Sequence, residues 1–143
     1  MKKMLGVMLL FLIIIPYRVH AETLDCPEVS DLEETTEKDR QEFMEALEGF
    51  IKNIYISDDE YGHLYEEWEV ITAKPFPDTE SSAYDEIYYE MAKNFCGEEV
   101  ANRSWLTRIY FPKWSGISAS NLEGQLFVAK SKENGWFVWF RYH

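Results

Sequence analysis

A chain of 143 residues and 17.0 kDa is long enough for one compact domain and too short for two. Its 46% hydrophobic and 16% aromatic content is too apolar for an intrinsically disordered protein. The 26 acidic side chains against 14 basic ones give a formal net charge of −12, which repels phosphate backbones and speaks against a nucleic-acid function.

Residues 1–21 have the layout of an export signal. Lys2 and Lys3 form a positive start, Met4 to Ile15 an apolar run, and Val19-His20-Ala21 a small-residue cleavage site. The run falls well short of the roughly twenty residues of a spanning helix, and Pro16, Tyr17 and Arg18 interrupt it. The expected product therefore has no membrane span after cleavage and lies outside the cytoplasm, secreted or periplasmic; the Met-Lys-Lys start points to a bacterium. Cleavage removes Lys2, Lys3 and Arg18 but no acid, so the net charge moves from −12 to −15. What remains is uneven: residues 22–70 hold 17 acids and 3 bases, whereas residues 101–143 hold 2 and 6.

Residues 22–35, with Pro27 and clustered Asp and Glu, read as an acidic extended arm leading into a single α+β domain over 36–143. The arm carries Cys26 and the domain carries Cys96. In an oxidising compartment such a pair predicts one disulfide. The other reading, two free thiols acting on a metal or redox partner, lacks the C-x-x-C spacing and a neighbouring histidine.

From Thr36, whose spacing to Asp39 suits a capping box, Phe43, Leu47, Phe50 and Ile54 recur at helical steps with Met44 and Ile51 alongside. The opposite face, with Glu42, Glu45, Glu48 and Lys52, reads as solvated. A short segment through Leu64, Tyr65 and Trp68 precedes Glu69 to Thr72, whose β-branched residues favour a strand. Pro75, Pro77, Asp78 and Ser81 predict a loop. Ser82 and Asp85 then open a second helix with Tyr84, Ile87, Tyr88, Met91 and Phe95 as its apolar stripe and Gly97 as its stop. Strict alternation through Trp105, Thr107, Ile109 and Phe111 predicts a strand that Pro112 ends. Leu122–Lys130 and Trp136–Tyr142 predict two more strands, joined by a turn at Glu133-Asn134-Gly135.

Helices first and consecutive antiparallel strands last, closing on Trp136 to Tyr142, resemble the NTF2-like (cystatin-like) α+β cone over roughly residues 37–142. The resemblance implies N-terminal helices packed on a curved antiparallel sheet of about four strands, around a cavity used for binding, dimerisation or catalysis. The proline-containing linker Ala73 to Ser81 and the few strands before the second helix depart from that type.

No G-x-S-x-G, H-E-x-x-H, P-loop or dinucleotide fingerprint occurs, and His63 and His143 sit in no motif. Asp58, Asp59 and Glu60 lack the alternation and glycine of a calcium loop and suit helix capping better. No catalytic residue, metal site or cofactor is expected. The enzymatic alternative pairs a carboxylate of raised pKa, from Glu66, Glu67 or Glu69, with Tyr84 or Tyr88 in a cone cavity. Arg103 and Arg108 read as substrate anchors or as ordinary cross-strand ion pairs.

Aromatic crowding is the remaining signal. Trp136 to Phe140 is apolar at every position, so both faces of that strand must meet apolar material: helices on one side and a protein partner, a second copy or a ligand on the other. Trp114, Trp136, Trp139 and Tyr142 are the expected binding residues. The sequence therefore predicts an exported, non-catalytic binding protein that uses an aromatic sheet face for a protein partner or for self-association, or alternatively an acidic inhibitor or immunity-type protein against a basic toxin or secreted enzyme.

Overall fold

The computed structural model describes residues 24–57, 60–77 and 83–142. The export-signal reading, Asp58, Asp59, Asp78, Ser81, Ser82 and His143 lie outside the described residues. The elements are α1 (Arg40–Ile51), β1 (Glu69–Pro75), α2 (Ala83–Cys96), α3 (Glu98–Asn102), β2 (Ser104–Tyr110), β3 (Glu123–Ser131) and β4 (Gly135–Tyr142). The four strands form one antiparallel sheet in the order β1-β2-β3-β4, so the fold is α+β as expected.

Helix α1 starts where the sequence says. Thr36 accepts from the backbone of the first turn, Asp39 bonds back to the Thr36 N–H at 2.8 Å, and a short 3-10 turn leads into the helix. Its buried row is Phe43, Leu47 and Ile51, continued by Tyr55 in a π turn over Lys52–Ile56. Phe50 and Ile54 flank that row rather than form it.

Alternation sends the β2 residues to two different cores. Trp105 and Ile109 pack with the α1 row, together with Leu126 and Val128 of β3. Leu106 faces the other way, with Phe127 and Ala129 of β3, Ala92 of α2 and Val100 and Ala101 of α3. The sheet is thus covered on both faces by helices of its own chain. This corrects the expectation that one face of β4 is left for a partner. The helices are divided between the two faces, with α2 and α3 opposite α1.

A bulge in β4 adjusts the second core. Val138 pairs with Val128 and Phe140 with Phe127, leaving Trp139 as the extra residue. Trp139 and Phe140 consequently stand on the same side, with ring centroids 5.3 and 5.2 Å from Phe127.

The acidic arm belongs to the fold. Cys26 and Cys96 form a disulfide, 70 residues apart in sequence. Leu32 is buried and bridges to Ser131, whose other neighbour is Gly135, so the arm lies along β3 on the side away from β4. Trp105 Nε1 donates to Thr35 Oγ1 at 2.9 Å, and Lys130 Nζ reaches Glu33 at 3.3 Å and Glu42 at 2.9 Å, tying arm, α1 and sheet together. Gly97 ends α2 at φ +87°, a conformation that glycine adopts at little steric cost, and the short α3 follows, which the sequence reading missed.

Candidate functional site

Helix α2 is turned away from its apolar stripe. Tyr84 is 66% exposed, Ile87 57% and Phe95 44%, whereas Asp85 is 1% exposed and Ala92 is fully buried. Apolar periodicity predicts Tyr84, Ile87, Tyr88, Met91 and Phe95 against the core; of these only Tyr88 and Met91 are half-buried. Two fixed points explain the rotation. At the C-terminal end the disulfide holds Cys96 inward, and near the N-terminal end Asp85 is held by charge. Asp85, Tyr89, Ala92 and Cys96 recur at four-, three- and four-residue steps, a single helical row about a third of a turn from Ile87, Met91 and Phe95. Small Ala92 lets the helix approach the sheet closely.

The charge that holds Asp85 comes from β2. Arg108 donates from Nη1 to Asp85 Oδ1 at 3.1 Å and forks onto Glu123 of β3 through Nε at 2.7 Å and Nη2 at 3.1 Å. Thr72 Oγ1 of β1 donates to Asp85 Oδ2 at 3.3 Å, and Gln125 Nε2 donates to Glu123 Oε1 at 2.9 Å. One guanidinium thus joins α2, β2 and β3 with the bidentate geometry that arginine offers. The hydrogen bonds to Glu123 raise the Arg108 pKa further against the opposing effect of burial. Burial opposes the charged form of Glu123, but the bonds from Arg108 and Gln125 and the charge of Arg108 outweigh it, leaving the carboxyl below its ordinary value. Burial first, and the nearby Glu123 second, push the Tyr88 phenol up. A carboxyl held ionised in this way is a poor proton donor near neutral pH.

The exposed row of α2 continues onto the sheet edge. Phe95 packs on Phe140 of β4, centroids 4.8 Å apart, and Tyr142, 41% exposed, ends that strand. Beside Ile87, Met91 and Phe95 runs a second row, Glu86, Glu90 and Asn94, one residue behind along the helix; both rows line the same shallow depression.

The four aromatic residues read from sequence as a binding group do not gather. Trp139 is 8% exposed and donates from Nε1 to Ser104 Oγ at 2.9 Å within the α2-side core. Trp114 is 5% exposed, its ring 5.2 Å from Tyr65. Trp136 is half-buried on the α1 side, 5.1 Å from Phe43 and 5.6 Å from Trp105. Of the four only Tyr142 is exposed, two residues beyond the Phe140 that meets Phe95. Glu66 and Glu67 are exposed and pair with Lys113, each at 3.4 Å, and Glu69 is exposed. Arg103 pairs with Glu34 at 3.4 Å and donates to the Leu32 carbonyl at 3.1 Å, holding the arm. His63 is exposed in a 3-10 turn. Among the described residues no group of three or more His, Cys, Asp or Glu is placed to hold a metal ion, and no helix is long and apolar enough to cross a membrane.

Comparison with protein-family models, with curated proteins and with solved structures gives no match to this chain. The signal that could have located the exposed row is Cys96: stepping back along α2 by four, seven and eleven residues from a disulfide-bonded cysteine marks Ala92, Tyr89 and Asp85 as the inward row, which leaves the apolar stripe outside.

Proposed function

We propose that the chain is an exported, non-catalytic binding protein that docks a protein partner on the apolar row of α2 where it meets β4. The observation that carries this reading is the exposure of Tyr84, Ile87 and Phe95 on a domain whose sheet is already covered on both faces. Contiguous apolar surface of this kind is costly to leave in water and marks interaction sites. The leader-like start and the closed Cys26–Cys96 bridge support export. Two features favour binding over catalysis. Glu66 and Glu67 sit in water beside Lys113 rather than in an apolar pocket. The space between α1 and the sheet, where an NTF2-like cone would open, is occupied by Phe43, Tyr55 and Trp105.

A benzophenone side chain placed at position 87, and in a second protein at position 45 on the outer face of α1, tests the assignment. Position 87 should give one dominant adduct in the native compartment and position 45 none. The protein so identified should bind the purified domain by calorimetry, with at least tenfold weaker affinity for Ile87→Ser. Equal adducts from both positions, or unchanged affinity for Ile87→Ser, would overturn it.

A further inference from the structure

We infer that the partner presents a cationic amphipathic helix, whose apolar residues lie along Ile87, Met91 and Phe95 and whose Lys or Arg residues lie along Glu86 and Glu90. The inference rests on the binding role given above to the α2 row and specifies the chemistry of what binds there.

The two rows run parallel on α2. Ile87, Met91 and Phe95 are spaced by four residues, as are Glu86 and Glu90, so the apolar row extends about 12 Å along the helix with an acidic row beside it. That is the surface which a second helix with apolar residues at three- and four-residue steps matches, helix against groove. Glu86 offers its charge to a partner, and Glu90 shares its own with Lys93. Glu86 is exposed and has no ion-pair partner among the described residues, whereas Glu90 is paired with Lys93 at 2.6 Å, and that ammonium also lies 4.7 Å from the centre of the Tyr89 ring. Beyond Gly97, exposed Glu98 and Glu99 extend the same sign of charge. Phe95 continues the apolar floor onto Phe140.

Charge selects among the occupants. A second copy would bring a second acidic row, its own Glu86 and Glu90, to the same groove, in a chain whose net charge is already −12. An anionic lipid surface would face the same repulsion. A basic helix gains from both rows, and the acidic row would speed its encounter.

The test uses the purified protein and a synthetic 18-residue helix of Leu and Lys, with Leu at three- and four-residue steps, against the same helix carrying Glu for Lys. Calorimetry should show one-to-one binding of the Leu/Lys helix and none of the Leu/Glu helix. Ile87→Ser and the pair Glu86→Lys/Glu90→Lys should each weaken binding tenfold or more, while Glu45→Lys/Glu48→Lys on α1 changes it less than twofold. Circular dichroism confirms that each variant is folded. Equal weakening by the α1 and α2 charge reversals would reduce the binding to attraction by net charge and overturn the inference. So would equal binding of the two helices, binding to anionic vesicles in place of the peptide, or a dimer in light scattering that Ile87→Ser converts to monomer. A partner cross-linked at position 87 together with no binding of the Leu/Lys helix would leave the docking site standing and remove only its cationic partner.

Discussion

Replacing Arg108 with methionine tests how α2 is held. The substitution keeps the stem's length and apolar contact but removes the charge between Asp85 and Glu123, leaving one nearly dry carboxylate, with its side chain 2% exposed, beside another at 29%. Removing one partner of a buried pair costs about 3–5 kcal/mol, and the water reaching Glu123 argues for the lower end, about 3 kcal/mol. For a domain of this size that is a fall in Tm of about 12 °C, at roughly 4 °C per kcal/mol. The pH dependence supplies a sharper test. Because Glu123 is held below its ordinary value, its contribution in the native protein is fully present above the unfolded glutamate pKa of about 4.3 and is lost as pH falls through the lower folded value. In the variant the guanidinium that holds the Glu123 carboxyl down is gone while the burial that opposes its charge remains, so protonation of Glu123 relieves the variant. The stability difference between the two proteins should therefore shrink on going from pH 7 to pH 4.5. Urea unfolding followed by tryptophan fluorescence at both pH values measures it. A loss below 1 kcal/mol at pH 7, or an equal loss at both, would refute the idea that this guanidinium fixes α2.

Three further outcomes follow from the packing. Cys26→Ser with Cys96→Ser should destabilise by at most about 4 kcal/mol, the chain-entropy value for a loop of this length, and by less in practice because Leu32, Thr35 and Arg103 still hold the arm; reversible denaturation measures it, and a larger loss would mean that the bridge itself shapes the fold. Gly124→Ala should destabilise by more than 1 kcal/mol, since a Cβ there would collide with the Tyr55 hydroxyl and stand 3.2 Å from Phe111; pairing it with Tyr55→Phe should recover part of the loss in the same assay. Burial, opposed by Arg141, pushes the Tyr55 phenol up to about 12, so the stability that its neutral form confers is complete below the unfolded value of about 10 and is lost as pH rises through the folded one. Tyr55→Phe should unfold at higher pH than the parent in an alkaline titration followed at 295 nm; coincident transitions would contradict that.

Much of this fold was legible because local chemistry and tertiary structure agree. The Thr36/Asp39 cap, the β2 alternation, the turn at Asn134-Gly135 and the cysteine pair are each read from a few neighbouring residues, and each appears in the structure. The candidate site was not legible, for two physical reasons. Apolar periodicity says that α2 has an apolar face, but not which face the sheet accepts; that is set by Asp85 meeting Arg108 and by Cys96 meeting Cys26, contacts 23 and 70 residues apart in sequence. In β4 the continuous apolar run correctly signals burial on both sides, yet the second cover is α2 and α3 rather than another molecule. Trp139 shows the ambiguity: the same residue type serves cores and hot spots, and here its N–H ends on buried Ser104. The π turn after α1 hid Tyr55 by shifting the periodicity just where Phe50 and Ile54 seemed to continue it.

Carbene footprinting of the purified protein tests most directly whether the free apolar surface lies on α2. Ile87, Tyr84 and Phe95 should be labelled heavily in the free protein, with Trp139 and Trp114 nearly untouched, and addition of the Leu/Lys helix should protect Ile87 and Phe95. Heavy labelling of Trp139 with little at Ile87 would show that the sheet face is the open one and contradict the account.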